Sequence, residues 1–131
     1  MISILLDHHL EGRANRLWSA LSAGGWIELI AIRFVTLSQV GLSVHSSDRT
    51  IWRFAQAQRM LLLTDNRNMK GDDSLEQTLR EENSPAALPV VTIGRSERLV
   101  EQEYRDRCAL RLVEIIVDLD QYLGVGRLFI P

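Results

Sequence analysis

The texture and order of the apolar segments predict an α/β fold with a mostly parallel sheet covered by helices on both faces. Short apolar runs alternate with amphipathic stretches, and each run is continuously apolar rather than switching between apolar and polar residues. A strand with one face in water would alternate; a strand buried on both faces does not. No repeat, linker or low-complexity stretch interrupts the order, and 131 residues suit one domain spanning 1–131.

The first run, Ile2–Leu6, reads as a doubly buried strand that ends at Asp7. Leu10, Ala14, Leu17, Trp18 and Leu21 recur at three- and four-residue spacing, which predicts an amphipathic helix over Glu11–Ala23 stopped by Gly24 and Gly25. Residues 26–37 are apolar apart from Glu28 and Arg33 and read as a second strand with a long exit. After a polar loop at 41–47, Ser46, Ser47 and Asp48 are all good helix caps for a face made by Ile51, Phe54, Ala55 and Gln58. Residues 60–64 form a third strand followed by a polar loop at 65–73, and Ser74 or Asp73 caps a helix running to about Glu82. Residues 89–94 make a fourth strand, Ser96 caps one long helix over 97–122, and 127–131 is a short last strand or an extended tail.

Composition removes several kinds of function. One cysteine, Cys108, rules out an internal disulfide and every multi-cysteine metal site, and its mid-helix position reads as a small buried hydrophobe. Net charge is −2, so no basic excess announces a nucleic-acid partner. Fourteen of the fifteen cations are arginine; with Lys70 the only lysine and no GxxxxGK[ST] motif, a phosphate-loop mechanism is excluded. No stretch has the length of a membrane span or the form of a secretory signal, so a cytoplasmic location and no membrane partner are expected.

Ligands of parallel sheets bind beyond the carboxyl ends of the strands, so the residues following each strand matter most. Asp7 follows the first strand, with His8 and His9, of which at most one is expected to reach a site. Asp65, Asn66, Arg67 and Asn68 follow the third strand, and between them Asp48 opens a helix. Carboxylate oxygens suit Mg²⁺ or Mn²⁺, and a pair of such ions about 3.5–4 Å apart clamps both oxygens of an in-line phosphodiester attack. Asp7 is the expected central ligand, Asp48 and Asp65 the others, with Asn66 and Asn68 completing the set and Asp72 or Asp73 reaching in through water.

Ile-Leu-Leu-Asp at 4–7, Ser47-Asp48 with Ile51, and Leu-Leu-Thr-Asp-Asn-Arg-Asn-Met at 62–69 resemble the small PIN-like domains, relatives of the VapC-type toxin ribonucleases. The resemblance covers about the first seventy residues. It implies a three-layer α/β/α sandwich and an acidic cluster that holds Mg²⁺ or Mn²⁺ for RNA cleavage. Asp7 matches the family's first acid and Asp48 its second. Where active members carry Thr-x-Asp-x-Asp-Phe, this chain has Asn66, Asn68 and Met69, and the family's Glu-Asn after the first acid is His8-His9. Asparagine ligates through its carbonyl oxygen but brings no charge, so the change weakens divalent binding.

The expectation is therefore a PIN-like metal-dependent ribonuclease, the toxin half of a toxin–antitoxin pair. Asp7, Asp48 and Asp65 are its catalytic and metal-binding acids, Asn66 and Asn68 further ligands, and Arg13, Arg49 and Arg67 the RNA-binding cations. RNA and an antitoxin protein are the expected partners, and Leu128-Phe129-Ile130 either pairs with a second copy or, the cheaper assumption, docks on its own sheet. The alternative is a PIN-like domain with a degraded acidic site, serving as an RNA-binding or protein-interaction module. A receiver-like phosphoacceptor domain also places Asp after a buried strand, but it needs a lysine at a later strand end. Here the fourth strand ends in Thr92-Ile93-Gly94-Arg95.

Overall fold

A computed structural model describes residues 1–66 and 71–131. Among them five parallel strands form one sheet in the order β2-β1-β3-β4-β5. The strands are β1 (Ile2–Leu6), β2 (Ile32–Val35), β3 (Leu61–Thr64), β4 (Val90–Ile93) and β5 (Arg127–Ile130). The helices are α1 (Glu11–Ala23), α2 (Trp26–Leu29), α3 (Asp48–Ala57), α4 (Leu75–Glu82) and α5 (Gln102–Val117). This is the expected three-layer α/β/α sandwich, with an all-parallel sheet.

Successive strand side chains point to opposite faces, and that alternation builds two cores. Ile4, Leu6, Leu61, Leu63, Val91 and Ile93 face one way and meet Leu17 and Leu21 of α1 and Cys108, Leu112 and Ile116 of α5. Leu5, Leu62 and Val90 face the other way, against Ile51, Trp52 and Ala55 of α3 and Leu75 of α4. Both faces are covered, so the strands need apolar residues at every position, which is the pattern read in the sequence.

Two boundaries differ from expectation. Trp26–Leu29 is a helical turn, not the start of a strand. Gly25 adopts the left-handed conformation at φ 75°, redirecting the chain after α1, and the Ile30 N–H closes back on the Trp26 carbonyl. The expected long helix over 97–122 is three pieces: a 3₁₀ turn at Ser96–Val100, then α5, then a 3₁₀ turn at Leu119–Tyr122. Ser96 does not cap α5, which begins only at Gln102; it lies in the preceding 3₁₀ turn, and its hydroxyl donates to Asp65. Ser47 and Ser74 do act as caps, accepting from the N–H groups of Thr50 at 3.2 Å and Gln77 at 3.1 Å.

The strand order places the site. From β1 the chain moves outward to β2 and later crosses to β3 on the opposite side, so the direction of winding switches between β1 and β3. Helices then leave the two neighbouring strand ends on opposite faces, opening a crevice there. Asp7 and Thr64 lie at those ends, joined by a hydrogen bond of 3.0 Å from the Asp7 N–H to the Leu63 carbonyl.

Candidate functional site at the switch point

Asp7, Thr64, Asn66 and Asp48 come together at this crevice. The Thr64 hydroxyl, 1% exposed at the last position of β3, donates to Asp7 Oδ2 at 2.7 Å. It also accepts the Asn66 N–H at 2.9 Å, so one hydroxyl fixes both an acid and the loop that follows it. Asp48 enters from the first turn of α3. Its Oδ2 accepts the Asn66 side-chain N–H at 2.8 Å and the Leu75 backbone N–H at 3.1 Å, and so joins α3, the β3 loop and the start of α4.

Asp48 holds its proton to higher pH than an ordinary aspartate. Burial is the main cause and the like charge of Asp7 the next; the bonds from Leu75 and Asn66 and the charge of Arg127 pull the other way. The two acids thus share one electrostatic environment. Each spends Oδ2 on the hydrogen bonds above, and no described residue donates to Oδ1 of either.

Asp65 faces different partners. Its Oδ2 accepts the Ser96 hydroxyl at 2.7 Å and lies 3.9 Å from the Arg13 guanidinium, which itself donates to Ser96 at 2.6 Å. Among the described residues no three His, Cys, Asp or Glu side chains gather closely enough to hold a metal ion. The expected trio of acids is thus present as a pair, with Asp65 turned to the β4 exit. Asn68 and Arg67 lie outside the described residues. Arg13 stands half-exposed beside Asp65.

Arg49 is turned to α4. It bonds the carboxylates of Glu81 and Glu82, Asp73 Oδ1 at 3.0 Å and the Asp72 carbonyl at 2.6 Å, so its charge is matched within the fold. Asp73 is likewise engaged. His8 sits in the 3₁₀ turn after Asp7 with Nδ1 3.6 Å from Glu11, and both His8 and His9 are exposed.

The sequence reading passed over Arg127. Its side chain is only 11% exposed, and Nη1 donates to the Asn66 carbonyl and to Thr92 Oγ1, both at 2.8 Å. Nη2 lies 3.7 Å from Glu76. Burial weakens this guanidinium's hold on its proton, against the opposing pull of Glu76 and Asp48. One signal was available: an arginine opening an otherwise apolar strand, with threonines at the register-paired ends of β3 and β4.

No protein-family model, curated protein or solved structure matches the chain.

The donors present suit a hard cation. Two carboxylates, each with an oxygen that no described residue bonds, under mutual repulsion that a divalent ion would relieve, are chemistry that Mg²⁺ or Mn²⁺ favours. Two acids are a modest charge for such an ion, and Arg127 already offsets part of it.

Proposed function

We propose that the chain is a PIN-like, divalent-metal-dependent ribonuclease with its centre at Asp7 and Asp48. The observation that carries the reading is the meeting of these two acids at the switch point of the sheet, where Asp7 raises the proton affinity of Asp48. Asp7 and Asp48 would hold Mg²⁺ or Mn²⁺, which when bound supplies Lewis-acid activation of water and of the phosphodiester. Thr64 orients Asp7. The Leu75 N–H and the Asn66 side chain orient Asp48. Arg127 holds the β3 loop in place through the Asn66 carbonyl, and Asp65 with Ser96 holds Arg13 where it can meet an RNA phosphate. A role as the toxin of a toxin–antitoxin pair belongs to the same reading and rests on the resemblance alone.

The test is cleavage of single-stranded RNA with and without Mn²⁺, by wild type, Asp7→Asn and Asp48→Asn. Cleavage that needs Mn²⁺ and falls about 100-fold or more in both variants is expected. Equal rates in all three proteins would end the nuclease reading.

The second reading, a non-catalytic RNA-binding or interaction module, is favoured by one observation: Asp65 is engaged by Ser96 and Arg13 while neutral Asn66 stands beside Asp48. RNA binding by wild type with no cleavage under any divalent ion would select it. No helix among the described residues is long and apolar enough to cross a membrane, and neither reading calls for one.

A further inference from the structure

Arg127 links the acidic crevice to a second concavity. A cavity of about 510 Å³ opens between α4 and β5, lined by Glu76, Arg80, Asn83, Arg127 and Phe129 among others. Its volume falls within the range of about 300–1,000 Å³ that small-ligand sites occupy. Leu79 and Val125 add apolar wall. The crevice and the cavity are tied by neighbouring residues: Leu75, whose N–H bonds Asp48, immediately precedes Glu76, and Arg127 reaches from the cavity wall to the Asn66 carbonyl.

The chemistry of the wall is selective. Phe129 is 49% exposed, a large aromatic surface left in water, and the Arg127 guanidinium lies 6.0 Å from its ring centroid. A planar π-system can stack there, with a cation beside it. Arg80 adds a second positive charge at the wall. Asn83 donates its side-chain N–H to the Gly124 carbonyl at 2.8 Å, and its Oδ1 is buried out of reach of the cavity. Glu76 supplies a carboxylate. A flat aromatic ligand bearing N–H donors and an anionic tail answers all of these features.

We propose that this cavity binds one nucleotide of an RNA strand, its base on Phe129 and its phosphate toward Arg80. The occupant rests on the ribonuclease reading, since a strand crossing Asp7 and Asp48 would lay its neighbouring nucleotide here. Bases with an exocyclic amino group can donate it to the Glu76 carboxylate, which uracil cannot do.

Isothermal titration of adenosine, guanosine, cytidine and uridine 5′-monophosphates into the metal-free protein, in EDTA, tests this apart from catalysis. Wild type is expected to bind without any divalent ion, with the uridine nucleotide weakest. Phe129→Ala is expected to weaken binding about five-fold or more, the loss of one stacking contact. Arg80→Ala is expected to weaken the nucleotide but not the parent nucleoside. Circular dichroism of each variant separates loss of binding from loss of fold. No binding by folded wild type, or equal binding by Phe129→Ala, overturns the proposal whatever the outcome with RNA cleavage. Sedimentation of the same proteins covers the rival occupant: a dimer that Phe129→Ala dissociates assigns the β5 edge to a second copy and also overturns it.

Discussion

The Asn66 side chain donates to Asp48 Oδ2 at 2.8 Å, tying the loop after β3 to the first turn of α3. This bond favours the ionised form of Asp48, as does the N–H of Leu75. In Asn66→Ala the Asp48 carboxyl is expected to titrate at higher pH than in wild type, read by carbon-detected NMR. The variant should also lose about 1 kcal/mol of stability in urea unfolding. Asn66→Asp adds a charge beside Asp48. It should raise the Asp48 midpoint further in the absence of metal and tighten Mn²⁺ binding about ten-fold.

The raised proton affinity of Asp48 sets the sign of a pH effect. A carboxyl whose folded midpoint lies above its unfolded value of about 3.9 stabilises the fold below that value. The contribution disappears as pH rises through the folded midpoint. Asp48→Asn does not titrate, so its stability relative to wild type should grow as pH rises from about 4 through the folded midpoint of Asp48. Asp7→Asn removes the second-largest cause of the shift, and should lower the Asp48 midpoint and flatten the same curve. Denaturant midpoints taken across that range check both variants. A constant difference from wild type at every pH would contradict the assignment.

Arg127 is a structural pivot as well as a neighbour of Asp48. Arg127→Met would strip a bond from the Asn66 carbonyl and from buried Thr92, and leave Glu76 without its cation. A loss of about 2–4 kcal/mol in urea unfolding is expected, the scale of breaking a buried charged contact. Arg127→Lys keeps the charge but not the two-pronged geometry, and should recover only part of it.

Gly124 carries both a conformational and a steric demand. Its φ is 81°, and a Cβ there would lie 3.0 Å from the backbone of Pro85. Gly126 also has positive φ, 87°, but its nearest neighbour would be the end of the Asn83 side chain at 3.8 Å. Gly124→Ala should therefore cost more than Gly126→Ala, for which about 1 kcal/mol is expected from backbone strain alone. Thermal unfolding of the pair gives the ordering directly.

The contrast between what was legible and what was not follows from range. Continuous apolarity in Ile2–Leu6, Leu61–Thr64 and Val90–Ile93 is a local record of burial on both faces, so sheet type and layering could be read without a partner in view. Asp7 and Asp48 could be nominated because each stands at a strand end or helix start, positions fixed by local pattern. The destination of Asp65 was hidden because it depends on Ser96, 31 residues away, which local pattern presented as a helix cap. Arg127 was hidden for the same reason: its contacts with Thr92 and Asn66 span 35 and 61 residues. Trp26–Leu29 misled because a short segment with three apolar residues suits a strand or a helical turn equally, and the left-handed Gly25 decided between them.

Calorimetric titration of Mn²⁺ into wild type, Asp7→Asn and Asp48→Asn puts the shared cation site most directly at risk. Uptake of one ion per chain is expected, with affinity reduced about ten-fold or more in each variant while its fold is kept. A wild-type protein that binds no Mn²⁺, or variants that bind it as tightly as wild type, would show that Asp7 and Asp48 do not form a metal centre.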